Sequence, residues 1–176
     1  MNERLTALNT HDPASDAADG GDGLWVTVDG AAVEMEAEAS FVEDETLFFS
    51  FVTPEGEREC GMSIPADIRP GDVLNAAWCQ QAQRWDCELT YDEADELCCF
   101  QAGFEPSGQA CVPSPEGSSL TLAIERISPD GKVYSGCFAG VLVSFETGER
   151  RALEGGRFQI TLFDETLAEL QALRQG

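Results

Sequence analysis

Sulfur is the first place to look for chemistry in this chain: of its seven cysteines, Cys79, Cys87, Cys98, Cys99 and Cys111 crowd into one stretch. Structural zinc draws its thiolates from pairs about two to four residues apart, because one tight turn must present both to a tetrahedral ion. The gaps here are C-x7-C, an adjacent Cys98-Cys99 and a long step to Cys111, a spacing that favours disulfides over zinc or reduced packing thiols. Those five and Cys137 are the candidate disulfide cysteines, and their density points to an oxidising compartment. An odd total leaves at least one thiol without a partner in the monomer, and connectivity stays open. Cys60 alternates with Met62 and Ile64 and reads as a small core residue rather than a nucleophile.

Acid–base chemistry has fewer carriers. The single histidine, His11, lies near the start of the chain, where a Ser-His-Asp, Cys-His or histidine–metal site would rest on a residue with no apolar pattern around it. No G-x-S-x-G, P-loop, G-x-G-x-x-G or H-E-x-x-H is present. Two suitably placed carboxylates are enough for glycoside hydrolysis, but 33 acids single out no pair. The expectation is a protein that is not an enzyme and needs no cofactor or metal, with a carboxylate-based hydrolase as the weakest alternative.

The same 33 acids face 10 basic residues, of which only Lys132 is a lysine, giving a net charge of -23. Such a surface repels phosphate backbones, so no nucleic-acid partner is expected. The acids are spread along the whole chain. An ordinary acidic exported protein, adaptation to salt, and a functional polyanion are the three readings, and the even spread favours a solvated surface.

The elements that would position these groups are mostly strands. Leu24–Val28 meets Asp29-Gly30, a strong hairpin signal, and Val33, Met35 and Ala37 then alternate with Glu34, Glu36 and Glu38. Glu43-Asp44-Glu45 and Pro54-Glu55-Gly56-Glu57 mark further turns. Three more strands run from Ser119 to Phe163, with turns at Ser128-Pro129-Asp130-Gly131 and Glu146-Thr147-Gly148-Glu149. Gly136 and Gly140 read as room for close strand packing or a bulge. The fold class expected is all-β: a mostly antiparallel β-sandwich over 24–163, with a cysteine-rich insertion over 76–116 and a short C-terminal helix over 164–176. Asp164 is the expected N-cap, with Leu167, Leu170 and Leu173 on one side, docked on the body of the protein.

Residues 1–23 are small and acidic and read as a flexible leader. Asp12, Asp16, Asp19 and Asp22 among glycines are similar to a calcium loop but lack its D-x-D-x-D-G spacing. Within the insertion, Thr90 and Glu93 fit a capping box that would start a helix running to Phe100. Trp78, Trp85, Phe100 and Phe104 are the candidate partner surface, although a small core under a stapled loop explains them as well.

V-D-G-A-A-V-E-M (Val28 to Met35), S-I-P-A-D-I-R-P-G-D-V (Ser63 to Val73), S-G-C-F-A-G-V-L (Ser135 to Leu142) and G-G-R-F-Q-I-T-L (Gly155 to Leu162) resemble, in that order, a family of uncharacterised bacterial cell-envelope β-sandwich domains, often lipoproteins. Val33 stands where that family has an aromatic, and Val73-Leu74 replaces its Thr-Tyr pattern. The resemblance implies a β-sandwich and an extracytoplasmic place, periplasm or cell surface. It supplies no activity or site. The first ten residues lack a signal peptide, and no run of eighteen apolar residues spans a membrane. The expectation is therefore that Met1 begins a trimmed mature chain. The functional expectation is a monomeric, non-enzymatic exported or cell-surface protein contacting a protein or surface ligand through its insertion. The alternative is an acidic intracellular interaction or inhibitor protein with reduced cysteines.

So many like charges repel one another in the compact state, and counter-ions relieve that repulsion. The melting temperature is expected to rise from low to moderate salt; a flat melting temperature over that range in differential scanning fluorimetry would contradict the argument.

Overall fold

The structure is a computed structural model that describes residues 21–82, 84, 87–104, 110–111 and 116–176, with the backbone alone described at 102–104 and 110–111. Most of the expected leader, 1–20, and Trp85 lie outside the described residues. Strand β1 (Gly23–Val28) turns into the long β2 (Ala31–Glu43), which turns into β3 (Thr46–Val52). Both hairpins have two-residue loops with positive φ at each position, Asp29 and Gly30 at 48° and 84°, Asp44 and Glu45 at 47° and 65°. That is the signature of the primed turns whose twist matches paired strands. After β4 (Arg58–Pro65) come the two-residue β5 (Val73–Leu74) and the short helix α1 (Ala76–Ala82). Strands β6 (Cys87–Glu93), β7 (Glu96–Phe104) and β8 (Ala110–Cys111) follow, then β9 (Ser119–Ile127), β10 (Val133–Ser144), β11 (Arg150–Thr161) and helix α2 (Asp164–Gln175).

The pairing corrects the expected sandwich. Strands run β10-β11-β1-β2-β3-β4-β6-β7 in unbroken antiparallel order, and β7 pairs back onto β10 through Val143↔Cys99 and Ser144↔Cys98. Eight strands therefore close into a barrel, with β9 and β5 as extra strands beside β10. Two layers never form, because β1 pairs with β11 and β7 returns to β10, which closes the eight strands on themselves.

The stretch 76–116, expected as an insertion, supplies two of the barrel's staves. Thr90 to Phe100 is a hairpin and not a helix: β6 and β7 are joined by Ala94 and Asp95, with φ 55° and 63°. Thr90 faces outward, where its Oγ1 accepts the Gly61 amide at 3.2 Å, and Leu89, Tyr91 and Phe100 point inward. Helix α1 packs against β7 and β5, with Cys79 wholly buried.

Side chains from opposite walls meet in the lumen. The Phe49 ring of β3 lies 5.7 Å from Tyr134 of β10 and 6.1 Å from Phe158 of β11, and Phe51 lies 6.4 Å from Phe158. An eight-stranded barrel has an interior just wide enough for side chains to fill, and these rings fill it. One end is covered by α2. Leu170 is buried there, the Thr166 hydroxyl donates to the Ser40 carbonyl at 2.7 Å, and Arg174 donates to the Ala66 carbonyl at 2.9 Å and to the Tyr134 hydroxyl at 3.1 Å. The residue at the N-cap is Phe163, without a side-chain cap, and Asp164 sits inside the first turn, where its charge suits the helix dipole. Leu173 is exposed, so only part of the leucine stripe docks.

Gly136 and Gly156 are set by clearance. A Cβ at Gly136 would meet the Ala123 carbonyl oxygen of β9, and one at Gly156 would stand 2.5 Å from the Phe138 ring. Since backbone at the first position cannot yield cheaply, Gly136→Ala should cost about 1–3 kcal/mol. Gly21→Ala, with nothing within 4 Å, is the matched control. Urea unfolding of both variants checks this, and equal midpoints would contradict it.

Candidate functional site

The expected sites are taken apart by the fold. Cys60, Cys79, Cys87, Cys98, Cys99 and Cys137 are all outside disulfides, which corrects the expected staple for every described thiol. Neighbours on a strand point to opposite faces, so Cys98 enters the lumen while Cys99 packs on the outside beside Val143. Cys60, Cys79, Cys87 and Cys98 serve as buried core residues, and Cys137 is half-buried on the outer wall. Of Cys111 only the backbone is described, paired with Gly103. Phe100 is 2% exposed and Trp78 packs against the core, so neither contributes to the expected partner surface as an open aromatic. The Trp85 and Phe104 side chains lie outside the description.

Titratable groups gather instead at the barrel end opposite α2. A hollow of about 270 Å³ is lined there by Val28, Asp29, Ala31, Val33, Arg58, Tyr91, Glu93 and Arg151. The backbone register creates it: Arg58 and Glu93 are direct cross-strand partners at the ends of β4 and β6. Arg58 Nε lies 3.2 Å from Glu93 Oε1, while the Tyr91 hydroxyl donates to Glu93 Oε2 at 2.8 Å. Opposite them, Arg151 Nη1 lies 2.6 Å from Glu149 Oε1 and 3.5 Å from Asp29 Oδ2. Asp29 Oδ1 in turn accepts the Ala152 amide at 2.8 Å, and the Cys98 thiol donates to the Glu149 carbonyl at 3.7 Å.

Neither the Tyr91 hydroxyl nor the nearby Cys98 thiol is poised for proton or nucleophile chemistry. Burial pushes the Tyr91 hydroxyl far above the ordinary phenol range, and the bond and charge of Glu93 add to it. Burial also raises the Cys98 thiol, with Arg151 only partly offsetting it. A catalytic thiol needs a lowered pKa, and a general acid or base works best near the operating pH. Both groups move the wrong way. The two arginines are held by three carboxylates, so ion pairs tie the strands together around this hollow. Among the described residues no group of three or more histidines, cysteines or acids is placed to hold a metal ion. Among them too, no helix is long and apolar enough to cross a membrane.

Spacing gave no warning of Arg58, Tyr91, Glu93 and Arg151, because their meeting depends on β4, β6 and β11 sharing one barrel end. Comparison with family models, curated proteins and solved structures gives no match.

The thiols carry a pH prediction. Burial raises Cys60 from 9.0 to about 12 and, with help from the charge of Glu88, Cys99 to about 11. The unfolded chain therefore ionises first. The contribution is constant below the ordinary thiol value and is lost as pH rises from 9.0 toward about 12. Stability in urea should fall across that window, and Cys60→Ala should flatten the fall. A profile equally steep in the variant would contradict the assignment.

Proposed function

We propose that the protein is a non-enzymatic interaction protein: a rigid, filled β-barrel that works through its outer surface and binds another polypeptide. The filled lumen carries this reading. Phe49, Tyr134 and Phe158 touch across the barrel, leaving the space where barrels of this size hold a small ligand occupied by side chains. At the barrel end away from α2, burial moves the Tyr91 hydroxyl and the Cys98 thiol away from catalytic readiness. What the molecule offers to others is surface, and that surface is strongly acidic with large apolar side chains standing out of it.

The resemblance of the strand motifs to cell-envelope domains supports an exported or surface-attached place for this work. The second reading, an acidic intracellular interaction or inhibitor protein, is favoured by the thiols. Cys60, Cys79 and Cys98 are buried and reduced, a state that a reducing compartment maintains without further protection.

Carbodiimide cross-linking in cells, followed by native mass spectrometry of the purified protein, tests the proposal. The expected result is one defined heteromeric species whose cross-links map to carboxylates on the barrel's outer wall. A stoichiometric small-molecule adduct on the protein, with no cross-linked polypeptide, would overturn it.

A further inference from the structure

We infer that the hollow at the barrel end away from α2 receives the carboxylate end of another polypeptide, an apolar last residue preceded by basic ones; the inference rests on the interaction reading above and locates the contact. Charge in the lining is balanced, Arg58 and Arg151 against Asp29 and Glu93. Hydrogen-bonding capacity is not. Each of the four carboxylate oxygens already has a donor: Glu93 Oε1 has Arg58 Nε and Oε2 the Tyr91 hydroxyl, while Asp29 Oδ1 has the Ala152 amide and Oδ2 has Arg151 Nη1. A guanidinium carries five N–H donors, yet among the described residues Arg58 engages partners only through Nε and Arg151 only through Nη1. Both terminal amino groups of Arg58, with Nε and Nη2 of Arg151, are left for a ligand that brings acceptor oxygens. A carboxylate matches that fork in shape as well as in charge.

The rest of the lining says what carries the carboxylate. Val28 and Val33, each 5% exposed, stand beside Ala31 and give the hollow an apolar wall. Its volume of about 270 Å³ lies below the roughly 300–1,000 Å³ of ordinary ligand pockets, room for one end residue and not for a folded element.

Residues upstream of that end meet a different field. Arg58 and Glu93 also border a neighbouring hollow of about 430 Å³, whose other charged residues are Glu57, Glu59, Asp92 and Asp95. A chain whose last residue lies between the two arginines has these acids beside it, which favours lysine or arginine in the preceding positions and opposes acid there. A free small anion has no such second hold and approaches a net charge of -23. Capture of a chain end by its carboxylate is a known mode of peptide recognition, and here the two adjoining hollows divide the work between end and stem.

Fluorescence anisotropy tests this with the full chain and an N-terminally labelled peptide of basic residues ending in alanine and valine, made once with a free carboxylate and once as the amide. The free acid is expected to bind at least about tenfold more tightly, as loss of a charge-assisted bond implies. Attraction by the acidic surface alone gives the reverse order, because the amide is the more cationic ligand. Arg58→Lys, which keeps the charge beside Glu93 and loses the fork, and Arg151→Gln should each bring the two affinities together. Arg157→Gln, which removes a guanidinium paired with Glu125 elsewhere on the barrel, should leave their ratio within about twofold. A ratio of one or less in the unaltered protein, a ratio that survives both variants at the hollow, or no binding at all would overturn the inference. N-acetylvaline displacing the peptide at equal concentration would also overturn it, by making a free small carboxylate the ligand. Cross-links to a polypeptide partner confined to carboxylates elsewhere would sink the hollow alone and leave the interaction reading standing.

Discussion

Contact across the lumen is the constraint on which everything else depends. Phe49 reaches from β3 to Tyr134 and Phe158 on the facing wall, so the barrel cannot widen without losing aromatic contacts in its middle. Burying a large apolar side chain is worth about 1.5–3 kcal/mol, and here one ring serves three strands at once. Glycine makes the same packing possible on the other side: Gly156 leaves the room that the Phe138 ring occupies. Large residues at one position and none at its neighbour are how a small barrel fills its section without strain.

Closure follows from that filling. Strand β10 gives most of one edge to β9 and only its last residues to β7, so the seam that completes the ring is short. Helix α1 packs against β7 and places Cys79 in the core beside the divergence of β7 and β9. A cysteine suits such places because it is small and apolar when protonated. The thiols that looked like staples are gap-fillers in a core with little spare volume.

How much of this was legible in the sequence depended on the distance over which each feature is decided. Turns are local, and Asp29-Gly30, Glu43-Asp44-Glu45 and Ser128-Pro129-Asp130-Gly131 announced theirs through residue type. So did the strand alternation of Leu120, Leu122 and Ile124. Barrel and sandwich share that alternation, and what separates them is whether β1 finds β11 and β7 finds β10, which no local pattern records. The β6–β7 hairpin failed for a different reason. Its turn uses Ala94 and Asp95 at positive φ, where glycine or asparagine is usual, and Thr90 with Glu93 imitates a capping box. Once the turn was hidden, the cysteines around it looked like an insertion held by disulfides. The ion-paired cluster at the barrel end away from α2 was illegible for the same reason as the closure: Arg58 and Glu93 become partners only when β4 and β6 lie side by side.

The distribution of acid then takes on a structural sense beyond solubility. A closed barrel leaves few strand edges to defend, and among the described residues one of them is β2 beyond Met35, alongside the start of β1. Glu36 and Glu38 stand there, with Asp22 fixed nearby by the Thr161 hydroxyl at 2.9 Å. Charge at an exposed edge is the usual guard against pairing with a like copy.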